Sequence, residues 1–492
     1  MRLGEILVGR GHVSVDAVKA ARQRQHQEGG RLGDNLLAMG LVTESQLTAV
    51  LRDTPVSPMT VEQTGISRGN LLTLMLKFMY LEACEMIREL SDRMRVPHGV
   101  VQELMNEATY RRFVQSLGSV QVGLANDIRY ALSDLGRAAA ADALNLNLYA
   151  GPAPVSLQAF KEQVLKQKLS NELLCADDLR RGFSGLVVAE HYIRKLLPAV
   201  NAGRTALLFG PPGNGKTTLA KRIASLFKDV IYVPYAVEID GQIVKIYDAS
   251  LHELSVTQAD ISALTIQGGL RHGGFDARWV ACKRPVAIAG GELSLEMLEL
   301  RYNSETRHYD APIHVKALNG VFLIDDFGRQ QVNPKDLLNR WIVPMENRID
   351  YLKINTGKTF SIPFDELLIF STNLNPADLM DHAFLRRIPY KIKFFAPSLE
   401  EYRTIFENEA KGHGLVLTDD IFDFVVDRLT VREEFGLAFF QPKFICDQVI
   451  DACRSFELVP ELTRDLVSEA LANLYVEIEN EKQADEFDVP TR

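Results

Sequence analysis

The stretch TALLFGPPGNGKTTLAKRIASLF places glycines at 210, 213 and 215 ahead of Lys216, Thr217 and Thr218, in the spacing G-x-x-x-x-G-K-T. Glycines let successive backbone N–H groups turn inward around phosphate oxygens, and a helix starting at Lys216 adds its positive end. Gly210, Pro211, Pro212, Gly213, Asn214, Gly215, Lys216, Thr217 and Thr218 form the cradle, in which Lys216 reaches the β- and γ-phosphates and the Thr217 hydroxyl ligates Mg2+. Such a cradle needs carboxylates at the end of a neighbouring buried strand. GVFLIDDFGRQ supplies Asp325, to hold the metal through water, and Asp326, to orient an attacking water. The apolar run ELLIFSTN ends in Asn373, placed to hydrogen-bond that water or the γ-phosphate.

These groups converge only if their strands share a sheet. The runs TALLF, VIYVPYAV, PVAIAG, GVFLI and ELLIF alternate with helical stretches, the pattern of a parallel α/β sheet. Residues 238–318, between two of those runs, exceed a single crossover and carry an insertion that includes the hairpin EIDGQIVKIYD. After Ser398 the pattern is helical, and residues 479–492 are an acidic, solvated tail.

GPPGNGKT, LIDDFG, FSTN and DHAFLRR, in that order, resemble the Walker A, Walker B, sensor 1 and arginine-finger segments of the AAA+ ATPases. RIDYLKINTGKTFSIPFD, two alternating runs around NTGK, resembles the hairpin before sensor 1 in the branch that includes MoxR-type chaperones and σ54 activators; the activator loop GAFTGA is absent. The resemblance implies a multidomain α/β chain, with a large ATPase subdomain over 181–397 (a parallel sheet flanked by helices) and a helical lid over 398–478. It also implies Mg2+-dependent ATP hydrolysis in a homo-oligomeric ring, a hexamer, in which Arg387, with Arg386 beside it, reaches a neighbouring subunit's γ-phosphate. Lys443 in FFQPKFICDQVI stands for sensor 2, a point charge in place of the family's forked arginine, and Asp326 replaces the usual glutamate. In such a ring the glycine-rich QGGLRHGGFDARW either faces the pore, with Phe275 or Trp279 gripping a polypeptide, or is a plain surface loop.

Ahead of the ATPase, residues 55–69 read as a linker and 145–180 as a second linker with a helix. Residues 70–144 hold two helical patterns broken at Val96 and Pro97, then the strand-like FVQSLG and IRYALSD, then a helix, and resemble a winged helix. The helix from Pro97 exposes His98, Gln102, Glu103 and Asn106, with no cation before Arg111. Phosphate contacts dominate DNA affinity and need cations, so a protein contact or a spacer role is expected in place of DNA binding.

Residues 1–54 repeat themselves. RLGEILVGRG from Arg2 returns as RLGDNLLAMG from Arg31, and at this offset of 29 Leu7, Gly11, Val13 and Val18 align with Leu36, Gly40, Val42 and Leu47. Each copy reads as a short helix ended by a glycine in a left-handed cap, then a longer helix from Ser14 or Thr43, with Thr43 and Gln46 as a capping box. Stacked helical hairpins account for the apolar positions and the terminal glycines but not for the RLG openings. An arginine beside a glycine at a helix start offers backbone N–H groups to a phosphate and a guanidinium plane to a purine. The stretch resembles the N-terminal domain of type II secretion and type IV pilus ATPases of the MshE type, which binds cyclic di-GMP through tandem motifs, here residues 2–25 and 31–54. By that resemblance Arg2, Leu3, Gly4, Gln25, Arg31, Leu32, Gly33 and Asp34 bind cyclic di-GMP, with the leucines beneath the bases; Thr54 stands where the family has Gln.

The 492 residues are 46% hydrophobic and 24% charged, an ordinary globular balance, and a net charge of −9 gives no overall attraction to nucleic acid or anionic lipid. The five cysteines lack CxxC spacing, so buried thiols are expected and zinc sites are not. The start MRLGEILVGRG is too polar for a signal peptide, and no apolar run reaches the roughly 18 residues of a membrane span, so a cytoplasmic location is expected. Taken together, the reading is a cyclic-di-GMP-responsive AAA+ ATPase acting on a protein partner, with pilus, secretion or surface machinery as candidates. A pilus or secretion motor is disfavoured by the hairpin, Asn373 and Arg387, and a winged-helix transcription regulator by the missing cations.

Overall fold

Five short segments make the central sheet: β1 (Ala206–Phe209), β2 (Val286–Ala289), β3 (Val321–Ile324), β4 (Leu367–Thr372) and β5 (Tyr390–Lys393). They pair in parallel in the order β5-β1-β4-β3-β2. Alternate residues of the inner strands feed two cores. Leu208, Leu323 and Ile369 face the P-loop helix Lys216–Ile223, while Leu207, Phe322, Leu368 and Phe370 join Trp341 and Phe364 on the other side. Burial on both faces explains why these strands are almost uniformly apolar. This is a computed structural model describing residues 3–9, 11–28, 32–44, 46–47, 54–122, 125–171, 173–227, 229–255, 275–432 and 436–474.

Two strand assignments differ from the sequence reading. VIYVPYAV does not enter the central sheet: Ile231–Pro234 pairs antiparallel with Trp279–Cys282, and Ala236–Ile239 turns through Asp240 and Gly241 into Gln242–Lys245. The central sheet is completed instead by β5, an edge strand whose lysines alternate outward around buried Ile392, so no apolar run announces it. A second sheet joins Arg301–Asn303, His308–Asp310, Gln242–Lys245, Ala236–Ile239 and Val155–Ser156, in that order. Phe275 and Trp279 are 7% and 5% exposed and pack in the core of this region, which rules out the gripping role considered for them.

The hairpin before Asn373 is present as Ile349–Lys353 paired with Thr359–Pro363. Its turn is tied to the inserted sheet, Asn355 N donating to the Tyr309 hydroxyl at 3.0 Å and Lys358 pairing with Asp240 at 2.5 Å. Beyond β5, helices Leu399–Gly412, Asp419–Asp427, Gln441–Ser455 and Arg464–Leu474 close around Tyr402, Phe406, Phe422, Ile445 and Val449. Ser398 and Glu401 cap the first of them reciprocally.

Residues 55–69, read as a linker, are pinned down: Asp276 N donates to Pro55 O at 3.0 Å, and Arg278 Nη1 to Thr64 O at 2.9 Å. Three helices then precede the antiparallel hairpin Val114–Val122/Ala125–Leu132, rather than two: Arg68–Leu81, Ile87–Met94 and His98–Tyr110. The extra break falls near Ala83, whose φ of 52° no glycine or proline signalled. Helix Asp134–Leu146 follows the hairpin. In the repeat, helices Leu3–Gly9, Val15–Glu28 and Leu32–Ala38 form, with Gly11 and Gly40 left-handed at φ 68° and 64°. Ser14 caps Ala17 N, and Thr43 and Gln46 form the capping box. The repeat shares a core with the inserted strands through Leu7, Ala21, Leu36 and Val42. Four cysteines are buried, but Cys175 is exposed at the start of helix Ala176–Gly182. Among the described residues, no helix is long and apolar enough to cross a membrane.

Candidate functional site

Each reactive side chain leaves the sheet at the carboxyl end of a strand, where α/β sheets hold their ligands. β1 runs into Gly210, where a Cβ would lie 2.2 Å from the Phe394 carbonyl oxygen, so a larger residue would collide with backbone. The loop then turns into helix Lys216–Ile223, with Leu219 N bonded to Gly215 O at 2.9 Å. Lys216 is the hub of the site. Its Nζ donates to Gly210 O at 2.9 Å, Pro211 O at 2.8 Å and Asn373 Oδ1 at 2.6 Å.

Asn373, just past β4, uses its other end to donate to Asp326 Oδ1 at 3.0 Å. From the end of β3, Asp325 Oδ1 accepts from Thr217 Oγ1 at 2.9 Å and from the Asp326 N–H at 3.1 Å. A continuous set of hydrogen bonds therefore joins the ends of β1, β3 and β4. Burial holds the Lys216 pKa below the ordinary lysine value, with Asp325 and Asp326 opposing that shift. Asp326 has φ 49°, a left-handed geometry that aspartate tolerates better than most residues, which favours Asp over Glu here. Gln330 braces the turn, donating to Asp325 O at 3.0 Å and Asp326 O at 3.3 Å and accepting from Gly328 N at 2.8 Å.

Lys216, Thr217, Asp325, Asp326 and Asn373 line a cleft of about 670 Å³, within the usual size of a small-molecule site. One wall is the loop from Gly213 to Thr218, with Asp325, Asp326 and Asn373. The other is apolar and comes from Leu186, Val187, Val188 and Tyr192 on one side and Ile405 and Phe440 of the C-terminal helices on the other. Lys443, exposed on helix Gln441–Ser455, also lines the cleft. Pro211 and Pro212 sit outside its wall, Pro211 contributing only its carbonyl to Lys216. Asn214 is 4% exposed, and neither polar atom of its side chain has a protein partner, so the loop itself carries polar capacity that a phosphate would satisfy. Thr217 and Asp325 supply hard oxygen donors of the kind Mg2+ takes.

Arg386 and Arg387 do not join this set. They follow the one-turn helix His382–Leu385; Arg386 is exposed, and Arg387 Nε donates to Glu346 Oε1 at 2.5 Å. Sequence reasoning missed the apolar wall and Phe440, whose ring lies so close to Gly213 that a Cβ there would sit 2.2 Å from its Cδ1. The double aromatic at a helix start carried no motif that would have marked it.

In the repeat, Arg2 and Arg31 lie outside the described residues, as do the side chains of Gln25 and Asp34. The remaining members show why RLG recurs. A Cβ on Gly4 would lie 2.6 Å from Val18 Cγ1 and 3.5 Å from Leu32 Cδ2; one on Gly33 would lie 3.1 Å from Leu47 Cδ2 and 3.4 Å from Leu3 Cδ2. Each short helix thus packs its glycine on Val18 or Leu47 of its own copy and on the other copy's leucine. This packing gives the leucine and glycine of RLG a structural role beside the ligand contact expected of them.

A family described as a domain of unknown function (DUF8689) matches residues 398–473, the C-terminal helices. No curated protein matches the chain. Among solved structures, NtrX from Brucella abortus is similar at 13% identity and a TM-score of 0.36, over 66% of this chain and 62% of that one. The RuvB Holliday junction branch migration motor of Thermotoga maritima is similar at 16% identity and a TM-score of 0.30, over 65% and 72%. At those scores neither likeness adds to the geometry above, and this chain spans less than two thirds of NtrX.

Proposed function

We propose that this chain is an AAA+ ATPase, a homo-oligomeric ring, hexameric, that hydrolyses ATP to remodel or move a protein partner under the control of cyclic di-GMP. The observation that carries the enzymatic part is the hydrogen-bonded set from Lys216 through Asn373 to Asp326, Asp325 and Thr217 at the ends of adjacent strands. Backbone N–H groups of the 213–218 loop receive the phosphates, and the Lys216 ammonium exchanges its carbonyl partners for β- and γ-phosphate oxygens. Thr217 and Asp325 are the residues that would hold Mg2+, which would supply positive charge to the phosphates. Asp326 orients the attacking water, and Asn373 fixes that carboxylate while touching Lys216. The apolar wall around Tyr192 and Phe440 takes the base, and Lys443 reaches in from the C-terminal helices. Arg387, with Arg386, serves the site of the next subunit, consistent with its lying outside its own chain's cleft. The test is ATP turnover by Lys216→Ala: the variant is expected to be inactive, and unchanged turnover would remove this site from the mechanism.

The regulatory part rests on the doubled RLG opening and on the reciprocal packing of Leu3 with Gly33 and Leu32 with Gly4, a local two-fold arrangement suited to a two-fold symmetric ligand. Arg2, Gln25, Arg31 and Asp34 would contact guanine or phosphate. Titration calorimetry of the full chain with cyclic di-GMP tests it; a flat trace at micromolar protein removes the switch and leaves the ATPase. DNA is not the proposed partner, because the exposed Gln102 and Asn106 of the third helix bond each other at 3.0 Å and Glu103 pairs with Arg68, leaving a face without basic character.

A further inference from the structure

Arg387 is not a loose surface arginine. Its Nε donates to Glu346 Oε1 at 2.5 Å, and its Nη1 donates to the Ala383 carbonyl at 3.1 Å. A planar guanidinium gripped at two nitrogens has its orientation fixed, and neither of these contacts uses Nη2. Glu346 lies in the last turn of helix Pro334–Asn347, which Asn333 caps and which begins shortly after the Gln330 brace on Asp325 and Asp326. The carboxylate that orients Arg387 is thereby carried on an element rooted beside its own subunit's metal-binding turn.

We infer that Glu346 is the positioning residue of Arg387: it aims the guanidinium at the anion bound in the next subunit. The inference rests on the proposed action of Arg387 across the subunit boundary. Glu346 lies outside the cleft of its own chain, so it does not touch the nucleotide bound there. Nor is it needed for the fold. The Glu346 and Arg387 side chains are 47% and 30% exposed, and a pair that open to solvent adds little to stability. Orientation, in contrast, matters steeply to rate, because a charged group offset from the developing charge loses much of its effect.

The experiment measures steady-state ATP turnover of Glu346→Gln, Glu346→Asp and Arg387→Ala, alone and in rings mixed with Lys216→Ala subunits. Glu346→Gln is expected to lower kcat roughly 10-fold while the KM for ATP changes less than about 2-fold, with Glu346→Asp in between. In mixed rings, a Glu346→Gln site followed by a Lys216→Ala subunit receives a correctly held Arg387, so turnover per competent site should recover. A purely structural role would not give that recovery. Full kcat in Glu346→Gln, or a loss that mixing does not repair while mixing does repair Arg387→Ala, overturns the inference and leaves the trans arginine standing. Full turnover by Arg387→Ala overturns the trans reading itself. If Glu346→Gln fails to assemble, the Glu346→Asp ring, which keeps the charge, decides by the same mixing.

Discussion

Asn373 holds Lys216 by its oxygen at 2.6 Å while its amide nitrogen reaches Asp326 at 3.0 Å, so one side chain spaces the ammonium proposed to bind phosphate from the carboxylate proposed to orient water. Replacing it with alanine removes both tethers without opening the buried strand behind it. Asn373→Ala is expected to lower kcat by about 100-fold and to change ATP affinity by less than about 5-fold. Equal losses in both, measured by turnover and by nucleotide titration, would mean that Asn373 serves binding instead.

Asp326 should separate binding from chemistry more sharply. Asp326→Asn keeps the left-handed backbone, since asparagine also tolerates that region, but loses the charge proposed to orient water. Turnover is expected to fall by about 100-fold or more with ATP still bound. Retained hydrolysis would assign the water-orienting role to another group.

The two RLG glycines should not respond alike. A methyl on Gly4 meets Val18 Cγ1 at 2.6 Å, on a buried and stiff β-branched side chain, whereas one on Gly33 meets the flexible end of Leu47 at 3.1 Å. Gly4→Ala is expected to destabilise the repeat by about 1–3 kcal/mol through overpacking. For Gly33→Ala the gain in helix propensity, about 1 kcal/mol, roughly offsets the tighter contact. Hydrogen exchange across residues 3–47 reads the difference, and Gly4→Ala/Val18→Ala should restore protection. Equal effects of the two single variants would contradict the packing described here.

Glu366, just before β4, is fully buried with no partner for either carboxylate oxygen. Burial first, then Asp350 and Asp365, push its pKa well above the ordinary glutamate value, with Arg348 opposing. Below the unfolded pKa both states carry the proton and ionisation costs the fold nothing; as pH rises from there toward the folded pKa, stability is progressively lost. Glu366→Gln escapes the loss. Its melting temperature should match wild type near pH 4 and exceed it near pH 8, by an amount equivalent to about 1–3 kcal/mol. A constant difference across that range would show that Glu366 does not titrate with folding.

The strands that carry chemistry were legible because they are buried on both faces and end in residues whose spacing has few other uses. GVFLIDD and ELLIFSTN needed no tertiary information. β5 was not legible, because an edge strand buries only one face and its lysines look like a solvated turn. VIYVPYAV misled for the opposite reason: apolar runs also occur where an antiparallel pair is covered by a neighbouring domain, and here the inserted region supplies that cover. The break at Ala83 had no local signal, since tertiary contacts hold a residue type that rarely takes positive φ. Within the site, the charged half was readable and the apolar half was not. Tyr192 and Phe440 lie far from each other in the chain and share a wall only after folding.

Val155–Ser156 forms the last strand of the inserted sheet, and Gln167 soon after it donates to Tyr232 O at 3.1 Å and to Asn319 Oδ1 at 2.9 Å. A truncation starting at 181, where the ATPase motifs would suggest cutting, strips that strand away and leaves raw edges on the very region that supports the hairpin. Such a fragment is expected to clump when expressed, and to do so even though every residue of the proposed ATP site remains in it.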